Sequence, residues 1–368
     1  MDGQELRRSP LEPEHVALGA KLGPFGGWQM PIEYAGPLAE HEAVRERVGL
    51  FDLTHLGKVE VLGAGAHDLL QRVVSNDLDT AAVGEAVYSL VLNEGGGVID
   101  DLIVYRLDDQ RYFVVPNASN TDRVLHILAE AKVGQPLDLI HHQDWCFLAV
   151  QGPDSAKVVG ALFPEASSLG FMDCTESGYR RRPVIVTRSG YTGEVGFELF
   201  TNQDVASALW AELLELMEPV GGAPCGLAAR DVLRLEMGYP LYGQDLSEPT
   251  SPLEAGLSWA VAFDKGDFTG REALIRQKEE GLPSRLRGLR MRERKHIPRA
   301  HCPVFQGDAL IGEVTSGTFS PLLRAGIGLA YLRPSDAAAI GDEVEVDIRG
   351  RRGIAEIVHP PFVDRSPR

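Results

Sequence analysis

Two adjacent carboxylates, Asp100 and Asp101, enter an otherwise apolar run in GGGVIDDLIVY (residues 95–105). Side chains alternate across a strand, so Asp101 shares one face with Ile103 and Tyr105, and Asp100 shares the other with Leu102 and Val104. At least one carboxylate must therefore meet an apolar layer. An ionised carboxylate taken out of water needs hydrogen bonds, a ligand partner or a raised pKa. A strand-start aspartate that only accepts backbone hydrogen bonds in the glycine turn is the plain alternative.

A second acidic candidate is Glu198 in GYTGEVGFELF (190–200). Alternation places Val195, Phe197 and Leu199 on one face and Gly196, Glu198 and Phe200 on the other. The missing side chain at Gly196 leaves a flat slot where a carboxylate can accept two parallel N–H bonds from a heteroaromatic edge, with Phe200 or Tyr191 near the ring. A solvated hairpin face with Glu198 in water is the competing reading. In the helical run LAARDVLRLE, Asp231 and Arg234 can pair at three-residue spacing, which leaves Arg230 either in solvent or with a partner elsewhere. Tyr88, Asn117 and Tyr239 can each stack or hydrogen-bond. His141 and His142 point to opposite faces of a strand, and no HxH or HExxH spacing occurs, so no metal centre is expected. GAGAHD (63–68) lacks the third glycine of a dinucleotide loop, and no Walker loop, GxSxG elbow or Cys–His pairing is evident.

The elements that must position these residues fit a chain of 368 residues, long enough for two or three compact units. The 44% hydrophobic and 24% charged content is globular and excludes a disordered chain. With 53 acidic against 36 basic residues the net charge is -17, which disfavours nucleic acid as a partner. Four widely spaced cysteines signal neither zinc nor a redox dithiol and suit a reducing cytoplasm. MDGQELRRSP at the start has no apolar core of an export signal, and no apolar stretch is long enough for a membrane span.

Periodicity predicts helices at 39–48, 65–74 and 119–131, the last with Leu125 and Leu128 on its buried side, and a hairpin through the glycine triplet at 95–97 into DDLIVYRL. Strands follow at 111–117 and 145–152, with further helices at 154–162, 204–216 and 225–238. The charged stretch RQKEEGLPSR (276–285) reads as a domain connection. Beyond it, six short alternating runs separated by glycine turns predict a small barrel or jelly-roll. The fold class expected is α+β, with a second α+β unit and a C-terminal β-barrel.

Taken in order, HVALGAKLGPFGGWQMPIEY, GLFDLTHLGKVEV, NEGGGVIDDLIVY, LAVQGP, RSGYTGEVGFE, GLAARDVLRLEMGYPLYGQDL, PLEAGLSWAV, RAHCPVF, GEVTSGTFSP and GIGLAYL resemble the glycine cleavage system T-protein family over nearly the whole chain. The resemblance implies a three-domain, cloverleaf-like molecule: an α+β domain of 1–55 with 140–280, an α+β domain of 56–139, and a β-barrel of 281–368. It implies a central channel for tetrahydrofolate, used as a co-substrate without any metal. The activity implied is transfer of the one-carbon unit of aminomethyl-dihydrolipoyl H-protein to tetrahydrofolate, giving 5,10-methylenetetrahydrofolate and ammonia, with functional links to the glycine decarboxylase P-protein and dihydrolipoyl dehydrogenase.

Position by position, the resemblance makes Asp101 the catalytic carboxylate, with Asp100 as its adjacent rival. It makes Glu198 and Asn117 pterin-edge partners, Tyr88 and Tyr191 pocket walls, and Arg230 and Tyr239 further folate-pocket residues. Arg287, Arg290, Arg292 and Arg294 are expected to form a docking patch for the acidic carrier. FDLTHLG stands where FDVSHMG is usual, and the tail HPPFVDRSPR lacks the family's frequent tyrosine, which puts a C-terminal contact to the ligand in doubt. A demethylase of the same fold is the alternative within enzymes. A non-catalytic folate-binding relative is the alternative outside them, disfavoured because no cysteine of a KGCYxGQE-like motif is present.

Overall fold

The computed structural model describes residues 5–132, 134, 136–334 and 339–367. The first four residues of the stretch read for export signals, and Arg368 of the tail, lie outside them.

The run Trp145–Gln151 is apolar up to its last residue and buried on both faces, as a central strand must be. It lies inside a six-stranded sheet of order Cys174–Tyr179, Arg182–Thr187, Gly196–Asn202, Trp145–Gln151, Gly49–Asp52 and Ala223–Pro224. On one face Leu148, Val150, Phe197 and Leu199 pack beneath the helices Ser155–Leu162 and Gln203–Met217 through Val158, Leu209 and Trp210. The other face presents Phe147 and Phe200, 4.1 Å apart between ring centroids, to Tyr105 and Phe113. Those last two belong to a five-stranded sheet of order Ala86–Leu92, Val98–Asp108, Arg111–Val115, Val59–Leu62 and Asp138–His141. An aromatic layer thus joins the two sheets. The helix Thr121–Ala131 covers the five-stranded sheet with Val124 and Leu128 fully buried and Leu125 only partly, one position off the expected stripe.

Past residue 284 the chain closes into a barrel of six strands, Arg285–Met291, Ala325–Leu332, Ala309–Ser320, Pro303–Gln306, Glu343–Ile348 and Arg351–Val358 in spatial order. Each expected short run is one of these strands, and closure selects the barrel over the jelly-roll. The connection is shorter than its composition suggests. Arg276 to Glu280 form the end of the helix Arg271–Glu280, which buries Leu274, leaving residues 281–284 as the link.

A single helix ties the parts together. Leu227–Glu236 buries Glu236, whose carboxylate takes His41 (2.9 Å) and Arg45 (2.7 Å) from the helix Pro37–Glu46 and the Ser320 hydroxyl (2.6 Å) from the barrel. Two residues earlier Arg234 pairs with Asp245 (2.7 Å) and Asp231 (2.7 Å) and donates to Ser316 of the barrel (2.9 Å). Buried charges are tolerated only when paired and hydrogen-bonded, and every one of these is.

The glycine triplet has a comparably specific cause. Gly96 sits at φ +82°, in the turn between Ala86–Leu92 and Val98–Asp108. A Cβ on Gly97 would lie 1.7 Å from the carbonyl oxygen of Glu248, because residues 248–250 dock directly on the turn through Asn93 to Glu248 O (3.1 Å) and Val98 N to Thr250 O (2.9 Å). That docking seats Leu246, Leu257 and Val261 against Leu90, Leu92 and Val98. Gly97→Ala is therefore expected to destabilise the protein by about 2–4 kcal/mol, read as a drop in the denaturant midpoint. Gly95→Ala, whose Cβ would meet only the side chain of Asn93 at 3.2 Å, should stay within about 1 kcal/mol.

Candidate active site

Register decides which carboxylate of the doublet reaches open space. Leu90 pairs with Asp101 and Tyr88 with Ile103, so Tyr88 and Asp101 are diagonal neighbours on one face. The Tyr88 hydroxyl donates to Asp101 Oδ2 at 2.9 Å. Asp100, opposite Val91, points the other way and is fully buried. Its oxygens accept from Asn117 N (3.0 Å), Asn117 Nδ2 (2.8 Å) and Asn120 Nδ2 (2.7 Å).

Asp101 lines a cavity of about 1330 Å³ at the junction of the two sheets and the barrel. Every residue named from the sequence as catalytic or binding is on its wall: Tyr88, Asp101, Asn117, Tyr191, Glu198, Arg230 and Tyr239. Asp100 is not. The volume exceeds the ~300–1,000 Å³ of an ordinary small-molecule pocket, so one heteroaromatic ligand leaves room for a second reactant.

Several contacts differ from expectation. Asn117 Nδ2 also donates to Asp101 O (2.9 Å) and Asp101 Oδ1 (2.9 Å), so its amide nitrogen is spent on holding both carboxylates and only its carbonyl end remains for a ligand edge. The flat slot beside Gly196 is filled: a Cβ there would meet the Gln151 amide at 2.2 Å. Gln151 is locked by Thr192 (2.8 Å) and Ser189 O (3.1 Å). Phe200 is buried in the aromatic layer and forms no part of the wall. Glu198 is 5% exposed, with Oε2 accepting from Ser189 (2.5 Å) and Tyr105 (3.3 Å), which leaves Oε1 as its free acceptor.

Arg230 is not a surface arginine. Its guanidinium lies 4.7 Å from the Tyr191 ring centroid, Tyr191 stacks on Tyr239 at 5.6 Å, and Arg230 Nη1 is buried without a hydrogen-bond partner. The pairing of Asp231 with Arg234 is present as the spacing predicts. Of the proposed docking arginines, Arg287 lines the cavity and Arg292 is neutralised by Glu343 (3.1 Å) and Glu356 (3.3 Å). Arg294 lies over the Phe319 ring. His142 pairs with Glu60 (2.8 Å), and the described residues contain no cluster of three or more His, Cys, Asp or Glu placed to hold a metal.

Sequence reasoning missed the walls built from afar. Barrel residues Leu286 and Leu329 line the cavity, as do His359, Pro360 and Pro361 of the tail that lacks the family tyrosine. Tyr242 and Trp259 do so too, both inside quoted motifs but without any spacing that marks them.

Burial governs the electrostatics. It pushes Asp101 up to about 6 against the opposing hydrogen bonds from Tyr88 and Asn117. Burial and then the neighbouring Asp101 charge push Asp100 up to about 8, again opposed by Asn120 and Asn117. Burial and the neighbouring charge thus favour the protonated form at Asp100 more strongly than at Asp101, so the charge of the coupled doublet is favoured on the cavity side. Burial also raises Glu198, with Ser189 and Arg230 opposing, and lowers Arg230, with Glu198 and Tyr191 opposing. The site can accept N–H donors at two carboxylates, stack a planar ring and stabilise positive charge beside Asp101.

Comparisons with known proteins agree with this architecture. Residues 11–265 match the GCVT N-terminal domain, and residues 285–364 match the glycine cleavage T-protein C-terminal barrel domain. A protein of Parafrankia sp. named aminomethyltransferase is 52% identical, covering 99% of this chain and all of the relative. One of the same name from Mycobacterium tuberculosis is 46% identical over 98% of each chain. The crystal structure of glycine cleavage system aminomethyltransferase T from Bartonella henselae superposes with a TM-score of 0.92 at 34% identity, covering 98% of this chain and 99% of that one. With both family domains matched in order and relatives aligned from end to end, the chain belongs to the glycine cleavage T-protein family.

Proposed function

We propose that this protein is an aminomethyltransferase of the glycine cleavage system. It takes the one-carbon unit of an aminomethyl group held on a dihydrolipoyl sulfur of H-protein and passes it to tetrahydrofolate, yielding 5,10-methylenetetrahydrofolate and ammonia. The observation that carries the reading is the cavity-facing Asp101, set among Glu198, Arg230 and three tyrosines in a chain whose full-length relatives bear that activity in their names.

The residues suit a reduced pterin. Glu198 Oε1 is an available acceptor, Arg230 has an unpartnered buried nitrogen, and Tyr191 lines the cavity between Arg230 and Tyr239. Tetrahydrofolate, when bound, supplies the nucleophilic ring nitrogens. The protein's own contribution is orientation and electrostatics. Asp101, fixed between the donors Tyr88 and Asn117, holds its charge where the one-carbon unit becomes positive as it leaves sulfur. Because Asp101 is half-buried in the cavity wall, that charge acts at an effective dielectric below that of water. Asp100 serves as the buried neighbour whose proton keeps the doublet from carrying two charges. H-protein supplies the reactive arm, and the cavity's extra volume accommodates it.

In a coupled assay with aminomethylated carrier and tetrahydrofolate, Asp101→Asn is expected to lower turnover by roughly 10²–10⁴-fold while a formylated folate analogue binds within about threefold of wild type by calorimetry. Undiminished turnover in that variant would remove Asp101 from the mechanism. Methyltetrahydrofolate formed without ammonia would replace the reaction by demethylation. Turnover in the wild type should fall about tenfold per pH unit below about 6, as Asp101 takes up its proton.

The same variant has a stability signature. Asp100 binds its proton more tightly folded than unfolded, so stability is lost as pH rises from the ordinary carboxylate range to about 8. Removing the Asp101 charge lowers Asp100 toward its ordinary value. Asp101→Asn should accordingly raise Tm by about 1–3 °C at pH 8 and by less at pH 5, in differential scanning calorimetry.

A further inference from the structure

Trp259 is the most exposed large hydrophobic residue among those described, at 63%, yet the turn that carries it is rigidly held. Its neighbours Leu257 and Ala260 are buried against the five-stranded sheet. Ser75 clamps the turn from both sides, donating through its hydroxyl to Ala260 O (2.7 Å) and accepting from Ala262 N (3.0 Å). An indole held in water by a fixed backbone is not a loose side chain. Its ring stacks on Tyr88 at 5.2 Å between centroids with planes 28° apart, and Tyr88 in turn donates to Asp101 Oδ2. Trp259 also lines the cavity. One line of contact therefore runs from solvent through two aromatic rings to the carboxylate.

We propose that Trp259 is a positioning residue for the reaction: by stacking on Tyr88 it fixes the hydroxyl that orients Asp101. The proposal rests on the functional reading above, in which Asp101 opposes the developing positive charge. A tyrosine on a strand has two side-chain torsions, and its ring can swing about them unless both faces are packed. The cross-strand register brings the Tyr88 hydroxyl within reach of Asp101, and the indole packs one face of its ring beside the contacts Tyr88 makes with the cluster around Leu90. The other groups whose charge bears on Asp101 come from separate elements: Asp100 on its own strand, Asn117 from the loop before the helix Thr121–Ala131, Tyr191 from the 190–193 turn, and Tyr242 and Asp245 from the segment after Leu227–Glu236. None of these touches Trp259 through an aromatic stack, so its influence is expected to pass through Tyr88 alone.

The experiment is a double-mutant cycle with two readouts, turnover in the coupled assay and the titration of the Asp101 carboxyl by carbon-13 NMR, assigned with Asp101→Asn. Tyr88→Phe removes a donor to the carboxylate and should raise its titration midpoint by about half to one unit. Trp259→Ala should shift it the same way by a smaller amount and lower turnover about tenfold, while Trp259→Phe, which keeps a stacking ring, should leave both near wild type. In the Tyr88→Phe background, Trp259→Ala should change turnover less than twofold. A midpoint that stays in place or moves opposite to that of Tyr88→Phe, or turnover losses that simply multiply, would overturn the proposal. The NMR titration needs no turnover, so wild-type protein that failed to transfer the aminomethyl group would sink the functional reading while leaving the Trp259–Tyr88–Asp101 coupling measurable.

Discussion

Two carboxylates on consecutive residues cannot both leave water and both keep their charge, and the active end of this molecule is built around that constraint. Strand alternation sends them to opposite faces, so one is enclosed by three hydrogen-bond donors and the other is presented to a cavity. Burial raises both, and the charge of the outer one raises the inner one further. The result is a coupled doublet whose charge is favoured on the cavity side. A lone buried aspartate could supply the charge; the doublet adds a neighbour that is neutral when the outer group is ionised.

Holding such a charge requires walls from distant parts of the chain. The helix Leu227–Glu236 is the mechanical centre: Arg234 and Glu236 anchor it to the barrel and to Pro37–Glu46, while Arg230 on the same helix lines the cavity. The aromatic layer of Phe113, Phe147 and Phe200 fixes the two sheets against one another beneath the site. Residues 242–274 pack on the glycine turn next to the carboxylate strand and bring Tyr242 and Trp259 to the wall. Rigid elements therefore position the polar groups. The charges buried around Glu236 and Arg234 are all paired, which spares the interior an uncompensated charge.

Much of this was legible in the sequence, because the signals were local. Period-two alternation at 95–105 separated Asp101 from Asp100, and the six glycine-punctuated runs after residue 284 correspond to the six barrel strands. The three-residue spacing of Asp231 and Arg234 foretold their ion pair, and all seven named site residues came together on one cavity. What failed did so for a physical reason in each case. The slot at Gly196 looked empty because no side chain occupies that position, yet Gln151 from the adjacent strand fills it. Of four arginines close in sequence that read as one patch, Arg292 is paired with Glu343 and Glu356 and Arg287 lines the cavity. The charged run 276–285 read as linker, but its first five residues are helical, held by the buried Leu274 just before them and by Gln277 donating to Glu254 (3.2 Å).

By itself the sequence determined the order of the elements, the faces of their strands and the chemical types available to the site, since these follow from spacing along the chain and from side-chain chemistry. Only the tertiary structure decided that Asn117 spends its amide on the doublet, that the Arg230 guanidinium lies over Tyr191, and that Trp259 stands in solvent on the ring of Tyr88. Those facts depend on which surfaces meet across long separations in the chain. Hydrogen-bond competition, burial and proton affinity are properties of the meeting surfaces, and no residue carries them until the chain has closed on itself.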